Sequence, residues 1–176
     1  KKKKMRNGRF PLFRMTSLYA FALSFGADPA IAMGVHVASV LVALGAFVRL
    51  SCAKLPPRAL MGGGVVVSTL ISPYNYDYDL AMLAAAACLL SDTVLQHARK
   101  SERYALGAVI LLIGSYGAAL SAVVPIITGD VTTRPISIMG PALFAGAAVL
   151  FRVLWRSRDI AQESPSPKRA VETTRT

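Results

Sequence analysis

The sequence predicts an all-α polytopic membrane protein with about five transmembrane helices and a short N-terminal interfacial helix. Three observations lead there. Of 176 residues, 54% are hydrophobic and only 16% charged, with a mean hydropathy of +0.49, too apolar for an ordinary soluble domain. The net charge of +11 is gathered in short clusters between long uncharged stretches, whereas a nucleic-acid binder spreads basic residues over a folded face, so no nucleic-acid partner is expected. Finally, the uncharged stretches approach the roughly 20 residues that a helix needs to cross a hydrocarbon core of about 30 Å.

The first span is expected over 29–48, with Asp28 as N-cap and Pro29 at the first helical position. The second, over 57–72, carries Gly62, Gly63 and Gly64, which permit close approach of a neighbouring helix inside a bilayer. The third, fourth and fifth are expected over 79–95, 104–127 and 136–155. In the fourth, Gly114, Gly117, Ala118 and Ser121 form a small-residue stripe suited to helix packing. Ahead of them, Leu18, Phe21, Ala22 and Phe25 repeat at helical spacing between Thr16 or Ser17 and Gly26, predicting an interfacial helix too short to span. The organisation is thus a basic leader or loop remnant (1–15), a membrane helical domain (16–155) and a disordered cytoplasmic tail (156–176). Cys52 and Cys88 show neither disulfide nor zinc spacing and read as packing residues.

Basic residues orient the helices. The connection holding Arg49, Lys54 and Arg58 and that holding Arg99, Lys100 and Arg103 are expected inside; the connections at Tyr74–Asp79 and Thr128–Pro135, poor in Lys and Arg, are expected outside. Asp92 and Arg152 then sit near cytoplasmic helix ends, from which they can snorkel to water. Five crossings leave the N-terminus outside and the C-terminus cytoplasmic. Lys1 to Lys4, Arg6, Arg9 and Arg14 disagree with an outside N-terminus. A signal peptide, an added leader before Met5, or derivation from the C-terminal part of a longer protein would each account for them.

The densest polar group lies between the second and third expected spans: Ser72, Pro73, Tyr74, Asn75, Tyr76, Asp77, Tyr78 and Asp79. One reading is structural: tyrosines of the interfacial belt, a proline stopping one helix and an aspartate capping the next. The other is a carbohydrate site, with tyrosine faces against the sugar and Asp and Asn bonded to its hydroxyls. Two carboxylates two residues apart do not make a divalent-cation site, so no metal is expected, and no cofactor.

The stretch SPYNYDYDLAMLAAA resembles the SPY-x-x-DYDL signature of glycosyltransferase family 87, the GT-C-type mannosyltransferases that use polyprenol-phosphate mannose, and the upstream RMTSLYAFALSFGADPAIAMGVHV is similar to their segment before this helix pair. The resemblance covers about residues 9–100. It implies transfer of a sugar, mannose in the family, from a polyprenol-phosphate-linked donor to an acceptor on the outer face of a bacterial-type cytoplasmic (inner) membrane. The family's catalytic base is an aspartate in an earlier external loop. Neither Asp77 nor Asp79 carries over as that base, no catalytic residue is assigned, and the chain is expected to be inactive without the N-terminal helices of such an enzyme. What the resemblance implies for Tyr74, Tyr76, Asp77 and Asp79 is a supporting role near the substrate pocket.

Further candidates for donor binding are Asn75, His36 inside the first span, and Arg134 before Pro135, which suits a lipid phosphate. Their plain readings are a hydrogen-bonded helix contact for His36 and an interfacial anchor for Arg134, and Arg14 shares the latter pair of readings. The alternative to the enzyme is a non-enzymatic small membrane protein or transporter-like subunit, although no internal repeat is visible.

Overall fold

In a computed structural model, residues 15–53, 55–75, 81–128 and 136–163 are described, and among them all regular structure is helical. The helices are α1 (Leu18–Ser24), α2 (Pro29–Ser51), α3 (Pro57–Ile71), α4 (Ala81–His97), α5 (Lys100–Thr128) and α6 (Met139–Glu163).

Local chemistry sets the helix starts. Ser17 caps α1 by accepting from the Ala20 amide, and Asp28 caps α2 through the Ala30 amide at 2.8 Å, with Pro29 at the first position. Between them the chain reverses at Gly26, whose φ of 81° lies in the left-handed region that a side chain disfavours. In α5 the side chain of Glu102 reaches back to the Arg99 amide at 2.8 Å, one half of a capping box.

Three helical segments are long and apolar enough to cross a membrane: α2, Lys100–Val123 within α5 and Met139–Arg158 within α6. They mark the chain as a membrane protein. At 1.5 Å per residue, α2 reaches about 34 Å, whereas α3 and α4, with 15 and 17 residues, reach about 22 and 26 Å. α6 is the central element and packs against each of the other five helices. Within the spans, 44% of α6 is buried, against 17% for α2 and 11% for α5. The outer helices turn apolar side chains such as Leu41, Val42 and Leu111 outward, where lipid rather than water is their natural surrounding.

The core joins Leu50 of α2, Val66 and Leu70 of α3, Leu90 of α4, Ile113 of α5, and Leu143, Leu150 and Leu154 of α6. Two glycines let helices approach closely. A Cβ at Gly62 would lie 2.5 Å from Leu90 Cγ, and one at Gly146 would lie 2.9 Å from Val109 Cγ1. The small-residue stripe of α5 behaves differently from expectation: Gly117 is buried, but nothing lies within 4 Å of a Cβ at Gly114, which faces an open groove instead of a crossing.

Two further expectations are corrected. Cys52 and Cys88 are exposed, so neither is a packing residue. Helix α6 does not stop at Trp155 but continues to Glu163, so the segment from 156 to 163 is helical. The continuation is held by Arg156, which pairs with Glu102, and by Arg158, whose guanidinium lies 4.7 Å from the Trp155 ring centre.

Candidate functional site

The Ser72–Asn75 turn begins where α3 ends, and a helix end leaves carbonyls without intrahelical partners. Two side chains meet them here. Asn75 Nδ2 donates to the Thr69 carbonyl at 2.6 Å, and His36 Nε2 lies 3.1 Å from the Ile71 carbonyl. A carbonyl oxygen only accepts, so Nε2 carries the imidazole proton. Nδ1 of His36 is buried without a hydrogen-bond partner among the described residues.

The carbonyls of the turn are taken up by the strand of chain before α1. Ser17 Oγ donates to the Pro73 carbonyl at 2.6 Å. The Thr16 amide donates to the Asn75 carbonyl at 2.9 Å, and Thr16 Oγ1 does so at 3.4 Å. Within the turn, the Tyr74 amide bonds Ser72 Oγ at 3.3 Å. Met15, Thr16 and Ser17 are all buried, so this strap is inside the structure and not draped over it.

The start of α6 closes the strap from the other side. Ser137, fully buried, donates its hydroxyl to the Met15 carbonyl at 2.8 Å and its amide to Ser24 Oγ at 3.2 Å. Gly140 lies directly under Ser17, where any Cβ would collide with the Ser17 carbonyl. Tyr116 of α5 donates to the neighbouring Ile136 carbonyl. One end of the bundle is therefore a hydrogen-bonded knot of neutral groups from all but one of its helices.

Tyr74 is the group this knot presents outward. It is 56% exposed, and its ring meets Tyr19 edge to face at 5.7 Å. Partial desolvation, and then the Tyr74 phenol beside it, raise the Tyr19 phenol above its ordinary pKa, so the Tyr19 hydroxyl stays protonated at neutral pH. Aromatic faces with protonated hydroxyls can cover the apolar side of a sugar and bond its hydroxyls. Of the expected site residues, Tyr74, Asn75 and His36 are brought to this end; Tyr76, Asp77, Asp79 and Arg134 lie outside the described residues. The side chains of Asn75 and His36 direct their described hydrogen bonds to α3. Among the described residues no three His, Cys, Asp or Glu side chains are grouped to hold a metal ion.

The opposite end, about 26 Å away along α6, is charged. Arg156 makes two bonds of 2.8 Å to the Glu102 carboxylate and donates to the His97 carbonyl at 3.0 Å. Arg152 stands 3.8 Å from the same carboxylate. The guanidiniums of Arg49, at 5.4 Å, and Arg158 both lie over the ring of Trp155. This cluster was not anticipated from sequence; its one readable signal was Glu102 at the third position of α5.

Comparison with protein-family models, with curated proteins and with solved structures gives no match.

Proposed function

We propose that this chain works as the C-terminal membrane portion of a glycosyltransferase that moves a sugar, mannose by the resemblance of its motif, from a polyprenol phosphate to an acceptor outside a bacterial-type cytoplasmic membrane. The catalytic base comes from an earlier helix pair of the same enzyme, and the chemistry is displacement at the anomeric carbon with phosphate as leaving group. In this reading all of α2 to α6 cross the bilayer. α3 and α4, packed on each other, tolerate their short length through local thinning of the membrane. The knotted end faces outward and the Arg-rich end faces the cytoplasm, as the basic loops favour.

The observation that carries the proposal is the tethering of the Ser72–Asn75 turn. The part of the motif that can be described is held rigidly from two sides while Tyr74 stays open. A pre-organised aromatic edge, in a motif whose sequence goes on to Asp77 and Asp79, suits a saccharide better than a loose connection would. The test uses membranes carrying the chain within its natural reading frame, supplied with polyprenol-phosphate mannose. Asp77→Ala and Tyr74→Ala are expected to reduce sugar transfer at least about tenfold, and undiminished transfer in both would remove the assignment.

A second reading, a non-enzymatic membrane protein, is favoured by the roles of His36 and Asn75, both of which terminate α3 instead of pointing into a cavity. On that reading no polyprenol-phosphate sugar is consumed in the same assay.

A further inference from the structure

Helices α4 and α5 are consecutive, joined only through Ala98 and Arg99, yet they do not pack along each other. α4 packs chiefly on α3 and α6, while α5 packs chiefly on α6. The wedge left between them is a groove of about 500 Å³, lined by Leu83, Ala87 and Leu90 of α4, Val109 and Ile113 of α5, and Ala147 of α6. The polar side chain on its wall is Ser91, whose hydroxyl is spent on the Cys88 carbonyl at 2.9 Å. Nothing in such a wall holds water, so the groove takes hydrocarbon.

Size and charge narrow the occupant. From Leu83 to Leu95 the α4 wall runs about 18 Å, close to the depth of one leaflet, which is half of a core of about 30 Å. A crossing helix about 10 Å wide and 30 Å long would fill on the order of 2,400 Å³, several times this space. At the closed end of the wedge, Arg99, Lys100 and Arg103 are exposed, as is Tyr104. Arg103 is fixed over the end of the groove by donating to the carbonyls of Leu95 and Ala98. Two of its five N–H groups make those bonds, which leaves others for a ligand. The neighbouring carboxylate of Glu102 does not cancel these charges outward, because it is turned inward to Arg156. Asp92, on exposed α4 surface one turn before Leu95, is the other acid of α4 and α5 among the residues whose side chains are described.

We infer that the α4–α5 wedge binds one acyl chain of an anionic phospholipid, with the lipid phosphate against Arg99, Lys100 and Arg103. This stands independently of the glycosyltransferase reading and of which way the bundle faces.

The test is native mass spectrometry of the delipidated full chain titrated separately with dioleoyl-phosphatidylglycerol and dioleoyl-phosphatidylcholine. Phosphatidylglycerol adducts are expected at a lipid concentration at least about tenfold lower than phosphatidylcholine adducts. Arg99→Gln with Lys100→Gln, which spares the bonds made by Arg103, should reduce that preference to less than about threefold. Ala87→Trp, which fills the groove, should remove adducts of both lipids while circular dichroism stays helical. Equal affinity for the two lipids in the parent, a preference that survives Arg99→Gln with Lys100→Gln, or a two-chain complex that excludes lipid would overturn the inference.

Discussion

The hydroxyl of Ser17 serves two structures at once: it accepts from the Ala20 amide at 3.2 Å, starting α1, and donates to the Pro73 carbonyl at 2.6 Å, fixing the turn after α3. Replacing Ser17 with Ala removes a helix cap worth about 1 kcal/mol and leaves the Pro73 carbonyl without its donor, a further cost of about 1–3 kcal/mol. Thermal unfolding in detergent should show a Tm lowered by several degrees for Ser17→Ala. Ser17→Thr, which keeps the hydroxyl, should lie close to the parent. Equal Tm values for Ala and Thr variants would refute the double role.

Gly140 and Gly34 make a matched pair, one under the Ser17 carbonyl and the other with nothing within 4 Å of a built Cβ. Gly140→Ala must push the strap away from α6 and is expected to cost about 1–3 kcal/mol. Gly34→Ala should be neutral or stabilising by up to about 1 kcal/mol through helix propensity. Hydrogen exchange at the Thr16 amide, whose acceptor is Asn75, is the sensitive probe: faster in Gly140→Ala, unchanged in Gly34→Ala.

Glu102 and Arg156 form the best-aligned ion pair of the charged end, with both carboxylate oxygens engaged. Glu102→Gln and Arg156→Gln should each lower Tm, and the double variant should lose less than the two separate losses combined, since either substitution alone already ends the pairing. Arg156→Lys should recover only part of the loss, because an ammonium cannot make the two-pronged contact. Strict additivity in the cycle would show that the pair contributes nothing jointly.

The orientation is open to labelling. In a Cys52→Ser, Cys88→Ser background, Tyr74→Cys in intact cells should react with a membrane-impermeant maleimide. Restoring Cys52, exposed after α2 beside Arg49, should give a site that reacts only after the cells are opened. The reverse pattern would invert the topology and end the proposed outward-facing sugar site.

Helix starts were legible in the sequence where a side chain signals them locally. Asp28 with Pro29 marked α2, and Thr16 or Ser17 with Gly26 bracketed α1. The helical class followed from the long uncharged runs, for the same reason that backbone groups in lipid must bond within their own segment. Tertiary bonds were not legible, because Ser137 and Met15 are far apart in the chain and neither residue type announces a partner. The outward Tyr74 was anticipated as an interfacial or sugar-facing group; the use of Asn75 to terminate α3 was not, since an amide six residues from its acceptor has no sequence signature. The reach of α6 past Trp155 was missed because the charges that close an apolar stretch read as its end, while here Arg156 has an acidic partner on another helix.

The bond from Ser137 to the Met15 carbonyl spans 122 residues, and this separation bears on biogenesis. During synthesis Thr16 and Ser17 can meet the turn after α3 before Ser137 is made, so the arrival of α6 completes a seat that is already half built. A nascent chain halted before position 137 lacks the donor to the Met15 carbonyl, and proteases should cut it around residues 15–17 faster than they cut the chain that carries α6.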